Sequence, residues 1–258
     1  MRLLPAALIA ALIAAPAEAQ SAPDLVRAGV AAMDARNPVA ALREYQAALA
    51  IDSTSYEANW RASIAAVDIG KQTPDSIPDP ARDSLYALAE RYATRAVAAN
   101  PEGSDGWFAL ANAIGRTSLT LGKKARVQRA TEIRADGLKA IELDPRNDGA
   151  FHLMGRWNAE IMRLSGFERF FAKSFLGGAV FSQASWDNAV AYMKRAIQLR
   201  PEFIYHHYDL ALIYIDIKEW DLAREQLSII ASLPLIDVMD PVWKQDAASL
   251  LQSIANKQ

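Results

Sequence analysis

The chain has 258 residues, 52% of them hydrophobic and 22% charged, with a formal net charge of −2 and no cysteine. Near-neutral charge argues against a nucleic-acid partner, which calls for a clearly basic face. The lack of cysteine excludes a disulfide framework, a thiol nucleophile and a zinc–thiolate site, and a chain rich in alanine with only 12 glycines and 12 prolines favours close-packed helices over sheets.

At the N-terminus, Arg2 precedes an apolar run over residues 3–15, and Ala17-Glu18-Ala19 offers small residues where a signal peptidase reads. The expectation is a signal peptide over 1–19, cut after Ala19, and a periplasmic or secreted product. The run is shorter than the ~20 residues that a spanning helix needs.

Beyond it, one ending recurs. Val97-Ala98-Ala99-Asn100-Pro101, Ile141-Glu142-Leu143-Asp144-Pro145 and Ile197-Gln198-Leu199-Arg200-Pro201 close three segments, with Ala96, Ala140 and Ala196 five residues before each proline. Ala48 to Ser53 is a fourth copy without the proline. These endings resemble the tetratricopeptide repeat, a pair of antiparallel helices in about 34 residues. Laid on this sequence, the pattern gives units starting at Ala22, Tyr56, Ser104, Asp148 and Ile204.

Position 8 of each unit is then small: Gly29, Ser63, Ala111, Gly155 and Ala211. Position 20 holds Ala41, Ala89, Ala189 and Ala223, with Ile133 as the exception in unit three. Small residues at both positions let the paired helices approach closely. Position 4 reads Leu25, Asn59, Trp107, Phe151 and His207, so units two and five look degenerate there. Units two, three and four carry insertions, the first containing the turn-rich Lys71 to Pro80 stretch, which reads as an exposed loop. A last helix over 240–256, with Asp240 as N-cap and Pro241 behind it, is expected to close the stack. The expected architecture is all-α: a right-handed α-solenoid of about five tetratricopeptide-like pairs in one domain over 20–258, with a C-terminal capping helix.

A narrower resemblance spans residues 84–256. Gly106-Trp107-Phe108-Ala109-Leu110, the run from Ala140 through His152-Leu153-Met154-Gly155 to Trp157, and the segment from Phe167 to Phe175 resemble the regulator of microtubule dynamics family. That resemblance implies a helical, tetratricopeptide-like fold with a long insert after the His-Leu-Met-Gly segment. It also implies association with microtubules and organelle membranes. An exported chain would not meet tubulin, so the fold is carried over and the microtubule partner is kept as an alternative.

No residues assemble into recognisable chemistry. Gly115 to Lys124 imitates a phosphate loop but has the wrong glycine spacing, lysine where serine or threonine should hold magnesium, and no preceding strand. His152, His206 and His207 are the only histidines; the last two are adjacent and point about 100° apart on a helix, which suits surface or groove positions better than a metal site. No catalytic residue, cofactor or metal is expected, and the chain reads as a non-enzyme.

The first helix of each unit should line the concave side. The candidate groove residues are Trp60, Phe108, Asn112, Arg116, His152, Arg156 and Tyr208, aromatic area interleaved with groups that grip a backbone or a carboxylate. The expected partner is a protein or peptide. An alternative site is the insert over 162–176, where Phe167, Phe170, Phe171 and Phe175 form an apolar stripe beside Arg163, Arg169 and Lys173, as in a helix lying on a membrane surface. Lys123, Lys124, Arg126, Arg129 and Arg134, interrupted by Glu132 and Asp136, read as a solvated face.

Overall fold

The structure, a computed structural model, describes residues 20–121, 123–165 and 178–258. Among them are eleven α-helices and no strand: α1 Ala22–Asp34, α2 Pro38–Ile51, α3 Tyr56–Gly70, α4 Pro80–Ala99, α5 Ser104–Thr117, α6 Lys123–Leu143, α7 Asp148–Arg163, α8 Trp186–Leu199, α9 Ile204–Asp216, α10 Trp220–Ile230 and α11 Asp240–Ser253. Each packs on its neighbours in chain order, and α3 also meets α5, as α5 meets α7 and α9 meets α11, which gives a solenoid of helix pairs.

Local chemistry sets the helix ends. Ser21, Asn37, Ser55, Asp79, Asn147 and Ser185 each cap a helix by accepting a backbone N–H with the side chain. Ser21 and Asp24 form a reciprocal capping box. Asn100 and Arg200 leave the helical conformation before Pro101 and Pro201, because a following proline disfavours it. The tight turns of units one and five are alike. Arg36 and Lys218 adopt left-handed φ of 58° and 64°. In both turns the next amide reaches back to a helix carbonyl, Asn37 to Ala32 and Glu219 to Tyr214, each at 2.9 Å. This is the Schellman closure, here without glycine.

The small columns are the seams between paired helices. Ala41, Ala48, Ala89, Ala96, Ala111, Ala140, Ala189, Ala196, Ala211 and Ala223 are all fully buried. A Cβ on Gly29 would lie 2.3 Å from the Tyr45 ring, so a large side chain of the second helix fills the space that glycine leaves in the first. Gly155 receives Met193 in the same way.

Position 4 keeps a role where its side chain changes. Trp107 Nε1 donates to the Pro101 carbonyl at 2.8 Å, Asn59 Nδ2 to Ser53 at 3.1 Å, and His207 Nε2 lies 2.8 Å from the Pro201 carbonyl. All three reach six residues upstream, to the turn that ends the previous unit. A carbonyl only accepts, so His207 must carry its hydrogen on Nε2.

The capping helix differs in detail from expectation. It ends at Ser253, and Met239 occupies the cap position without a side-chain bond. The Asp240 carboxylate turns back instead and accepts from the amides of Ile236 and Asp237, both at 2.6 Å. Trp243 on α11 stacks on Tyr205 at 4.9 Å and leans on Tyr208 at 5.1 Å, sealing the last apolar face. No helix among the described residues is long and apolar enough to cross a membrane.

Candidate binding groove on the concave face

The candidate residues do not form one continuous strip. Trp60 on α3 is half-buried under the Arg61 guanidinium, 4.3 Å from the ring centre. Phe108 on α5 is half-buried and its ring covers Gly149 at the start of α7, where a Cβ would lie 2.6 Å away. Asn112, one turn along α5, is half-buried. Tyr208 is buried beneath Trp243.

Arg116, His152 and Arg156 do converge, around Tyr205 of α9. Arg156 donates from Nη1 to the Tyr205 hydroxyl, and its Nε lies 3.4 Å from Asp209 Oδ2. The Tyr205 hydroxyl and Asp209 both hold Arg156 protonated, well above the ordinary guanidinium value and against the effect of burial. Burial pushes the Tyr205 hydroxyl up, opposed by the charges of Arg156, Arg116 and Lys71. The His152 ring lies 4.6 Å from that of Tyr205.

Carboxylates balance these cations. Arg116 Nη1 is 3.3 Å from Asp75 Oδ2 in the α3–α4 loop. Lys71, at the end of α3, lies 2.8 Å from Asp68 and 3.5 Å from Asp237, which precedes α11. Burial alone would lower the Lys71 ammonium; the two carboxylates outweigh it and hold it above its ordinary value. The second unit is thereby tied to the C-terminal loop across the concave side. The stretch expected to be simply exposed therefore contributes two residues, Lys71 and Asp75, to the groove.

The histidines depart from surface positions: all three are buried. His206 Nε2 lies 3.0 Å from Asp148 Oδ2, its Nδ1 2.9 Å from His152 Nδ1, and His152 Nε2 3.1 Å from Asp209 Oδ2. Burial would raise both aspartates, but His206 holds Asp148, and Arg156 holds Asp209, below the ordinary carboxylate range. The chain Asp148–His206–His152–Asp209–Arg156–Tyr205 runs between units four and five.

Sequence reasoning missed Lys71, Asp75, Tyr205, Asp209, Asp237 and Trp243. One signal was present: position 13 of units two to five reads Asp68, Arg116, Glu160 and Asp216, a charged column on the groove side. Arg163 joins its last two members, at 2.6 Å from Glu160 and 2.6 Å from Asp216.

Phe167, Phe170, Phe171 and Phe175 lie outside the described residues, as do the side chains of Lys123 and Lys124. Arg129 of the basic cluster is ion-paired with Glu90 at 2.7 Å and Glu132 at 2.9 Å. A cleft of about 590 Å3 between α4 and the end of α5 is lined by Tyr86, Glu90, Arg91, Thr117 and Arg129, with charges of both signs.

Comparison with known proteins agrees with this architecture. A thermophilic TPR protein from Thermus thermophilus superposes with a TM-score of 0.65 at 17% identity, covering 89% of this chain and all of that one. The pilF protein of Pseudomonas aeruginosa gives 0.51 at 13% identity, covering 91% of this chain and 86% of that one. At these identities the likeness is one of fold. Regulator of microtubule dynamics protein 1 from Bos taurus is 28% identical over 211 residues, covering 80% of this chain and 64% of the relative. The Homo sapiens protein is also 28% identical, with 77% and 62% covered. The chain thus spans less than two thirds of the length of these relatives.

These relatives overturn the expected location. They are animal proteins named for microtubules, which are polymers of the cell interior, and not periplasmic or secreted proteins. Residues 1–19, from which export was expected, lie outside the described residues. The family model for Regulator of microtubule dynamics protein 1-3 matches residues 29–255, nearly the whole solenoid. The chain belongs to the regulator of microtubule dynamics family.

Proposed function

We propose that this protein is a non-enzymatic interaction scaffold that holds a protein or peptide segment along its concave face. The observation that carries the reading is the bonded pair Arg156 and Tyr205 on that face, with Arg116 near enough for its charge to act on the same hydroxyl; Trp60, Phe108 and Asn112, each half-buried, stand apart on the first helices of the neighbouring units. Aromatic and arginine side chains dominate interface energetics, and a helix-lined groove presents them on a rigid frame.

The family membership favours one partner class, the microtubule lattice or a protein bound to it. With the expectation of export overturned, the microtubule partner first kept as an alternative becomes the leading one. Co-sedimentation of the full chain with stabilised microtubules tests this. Phe108→Ala and Arg156→Ala should each cut the bound fraction, and the exposed control Arg43→Ala should not. Wild-type binding in both groove variants, with helicity unchanged by circular dichroism, would move the site off the concave face.

A further inference from the structure

The α3–α4 loop places an acidic side chain in the groove that it borders. Arg82 is buried and donates from Nη1 to the carbonyls of Pro74 and Ile77, both at 2.8 Å, which holds the loop in one course. On that course Asp75 points inward. Its Oδ2 is 3.3 Å from Arg116 Nη1, and the Tyr86 hydroxyl lies 3.5 Å from its Oδ1. The charge of Asp75 also acts on Arg156.

The two members of this pair differ in access. The Arg116 side chain is 16% exposed and that of Asp75 is 43% exposed. A pair with one half in water holds weakly, on the order of 0–1 kcal/mol. Lys71, by contrast, is half-buried and held between Asp68 and Asp237, so it is not available. Arg116 is therefore a largely desolvated guanidinium whose carboxylate partner can be exchanged at little cost, and guanidinium groups favour carboxylates because planar N–H pairs match their oxygens.

We propose that the groove recognises a peptide segment through a side-chain carboxylate, an aspartate or glutamate bound at Arg116 beside Arg156, and that Asp75 is the internal competitor for that place. The inference rests on the groove reading above and gives its partner a chemistry: an acidic segment. The α3–α4 loop is then a cis-acting brake, since a partner must displace its carboxylate before it reaches Arg116.

The test uses the full chain and a fluorescent peptide with the loop's own sequence, residues 72–79, amidated at its C-terminus so that only side chains offer carboxylates. Asp75→Asn should bind this peptide about tenfold more tightly than wild type in an anisotropy titration. Adding Arg116→Gln to Asp75→Asn should abolish the gain, Arg116→Lys should retain part of it, and a peptide with both aspartates changed to asparagine should not bind. Equal affinity for wild type and Asp75→Asn, or a gain that survives Arg116→Gln, overturns the proposal. So does tight binding of the asparagine peptide as a free acid, which would assign the site to a terminal carboxylate. If Phe108→Ala abolishes binding while Asp75 and Arg116 are without effect, the groove reading stands and this inference falls. If Phe108, Arg116 and Arg156 are all without effect, both fall.

Discussion

His206 Nδ1 lies 2.9 Å from His152 Nδ1, so one ring must give its hydrogen to the other and the two cannot both be imidazolium. Two neutral rings carry two N–H groups for three contacts, to Asp148, to each other and to Asp209. With His206 bonded to Asp148 through Nε2 and accepting at Nδ1, the contact of His152 Nε2 with Asp209 Oδ2 goes short: both atoms are buried without a hydrogen bond.

A pH dependence follows. Burial lowers His206 to about 4, against an ordinary value of about 6.5. The unfolded chain thus takes up this proton first as pH falls. The stability carried by neutral His206 is complete above pH 6.5 and is lost as pH falls towards 4, with a slope of up to ~1.4 kcal/mol per pH unit. Asp148 and Asp209 titrate below this window. Asp136, raised by burial to about 6, lies within it and works in the opposite sense, but it is common to both proteins compared. Denaturation midpoints measured from pH 7.5 to 4.5 should fall more steeply for wild type than for His206→Gln. Parallel curves would remove His206 from the account.

Gly155 tests the helix seam. A Cβ there would meet Met193 Cε at 3.0 Å, Met193 N at 3.2 Å and Ala189 O at 3.3 Å, and two of these atoms are backbone. Gly155→Leu should cost about 1–3 kcal/mol by overpacking, read as a lower thermal midpoint with helicity retained. An unchanged midpoint would mean that α7 and α8 do not meet at this residue.

The seam was legible in the sequence because a steric rule repeats: Gly29, Ser63, Ala111, Gly155 and Ala211 recur at one position, and each is buried. The groove was half legible. Arg116, His152 and Arg156 sit on helix faces that periodicity assigns to the concave side. Their partners do not. Asp75 reaches Arg116 through an insertion, and Lys71 reaches Asp237 across the curvature of the stack, which no local pattern encodes. His152 and His206 looked unrelated because each is read against its own helix, while the contact lies between units. Asn59 and His207 looked like failures of the repeat because its fourth position was read by size. Hydrogen bonding to the preceding turn is what these two residues share with Trp107.

Lys218 offers a stabilising change. Its φ of 64° is left-handed, a conformation that costs a non-glycine residue roughly 1–2 kcal/mol and glycine little. Lys218 is exposed and the closure uses its backbone N–H, at 3.1 Å from Ile215 O. Lys218→Gly should therefore raise the stability by a few tenths to about 1 kcal/mol, with the gain reduced by glycine's larger entropy in the unfolded chain. A fall in the thermal midpoint would show that the lysine side chain contributes more than the turn strain costs.

Lys71 should be the most sensitive charged position outside the helix seams. It neutralises Asp68 within its own unit and Asp237 before the capping helix. Lys71→Met fits a similar volume but leaves the buried Asp68 and the half-buried Asp237 near each other without a cation, and removal of one partner from a fully buried pair costs up to about 3–5 kcal/mol. Asp237→Asn leaves Lys71 with Asp68 and should cost far less, which separates the loss of the cross-groove tie from the stranding of charge. The double variant Lys71→Met/Asp68→Asn should recover much of the loss, because it removes the Asp68 charge that would otherwise face Asp237. Chemical denaturation of the three variants measures each step. If Lys71→Met and Asp237→Asn cost the same small amount, the ammonium is solvated and the second unit is not tied to the C-terminal loop; if Lys71→Met is severe and the double variant restores stability, the tie is electrostatic and the concave face is held to its width by one lysine.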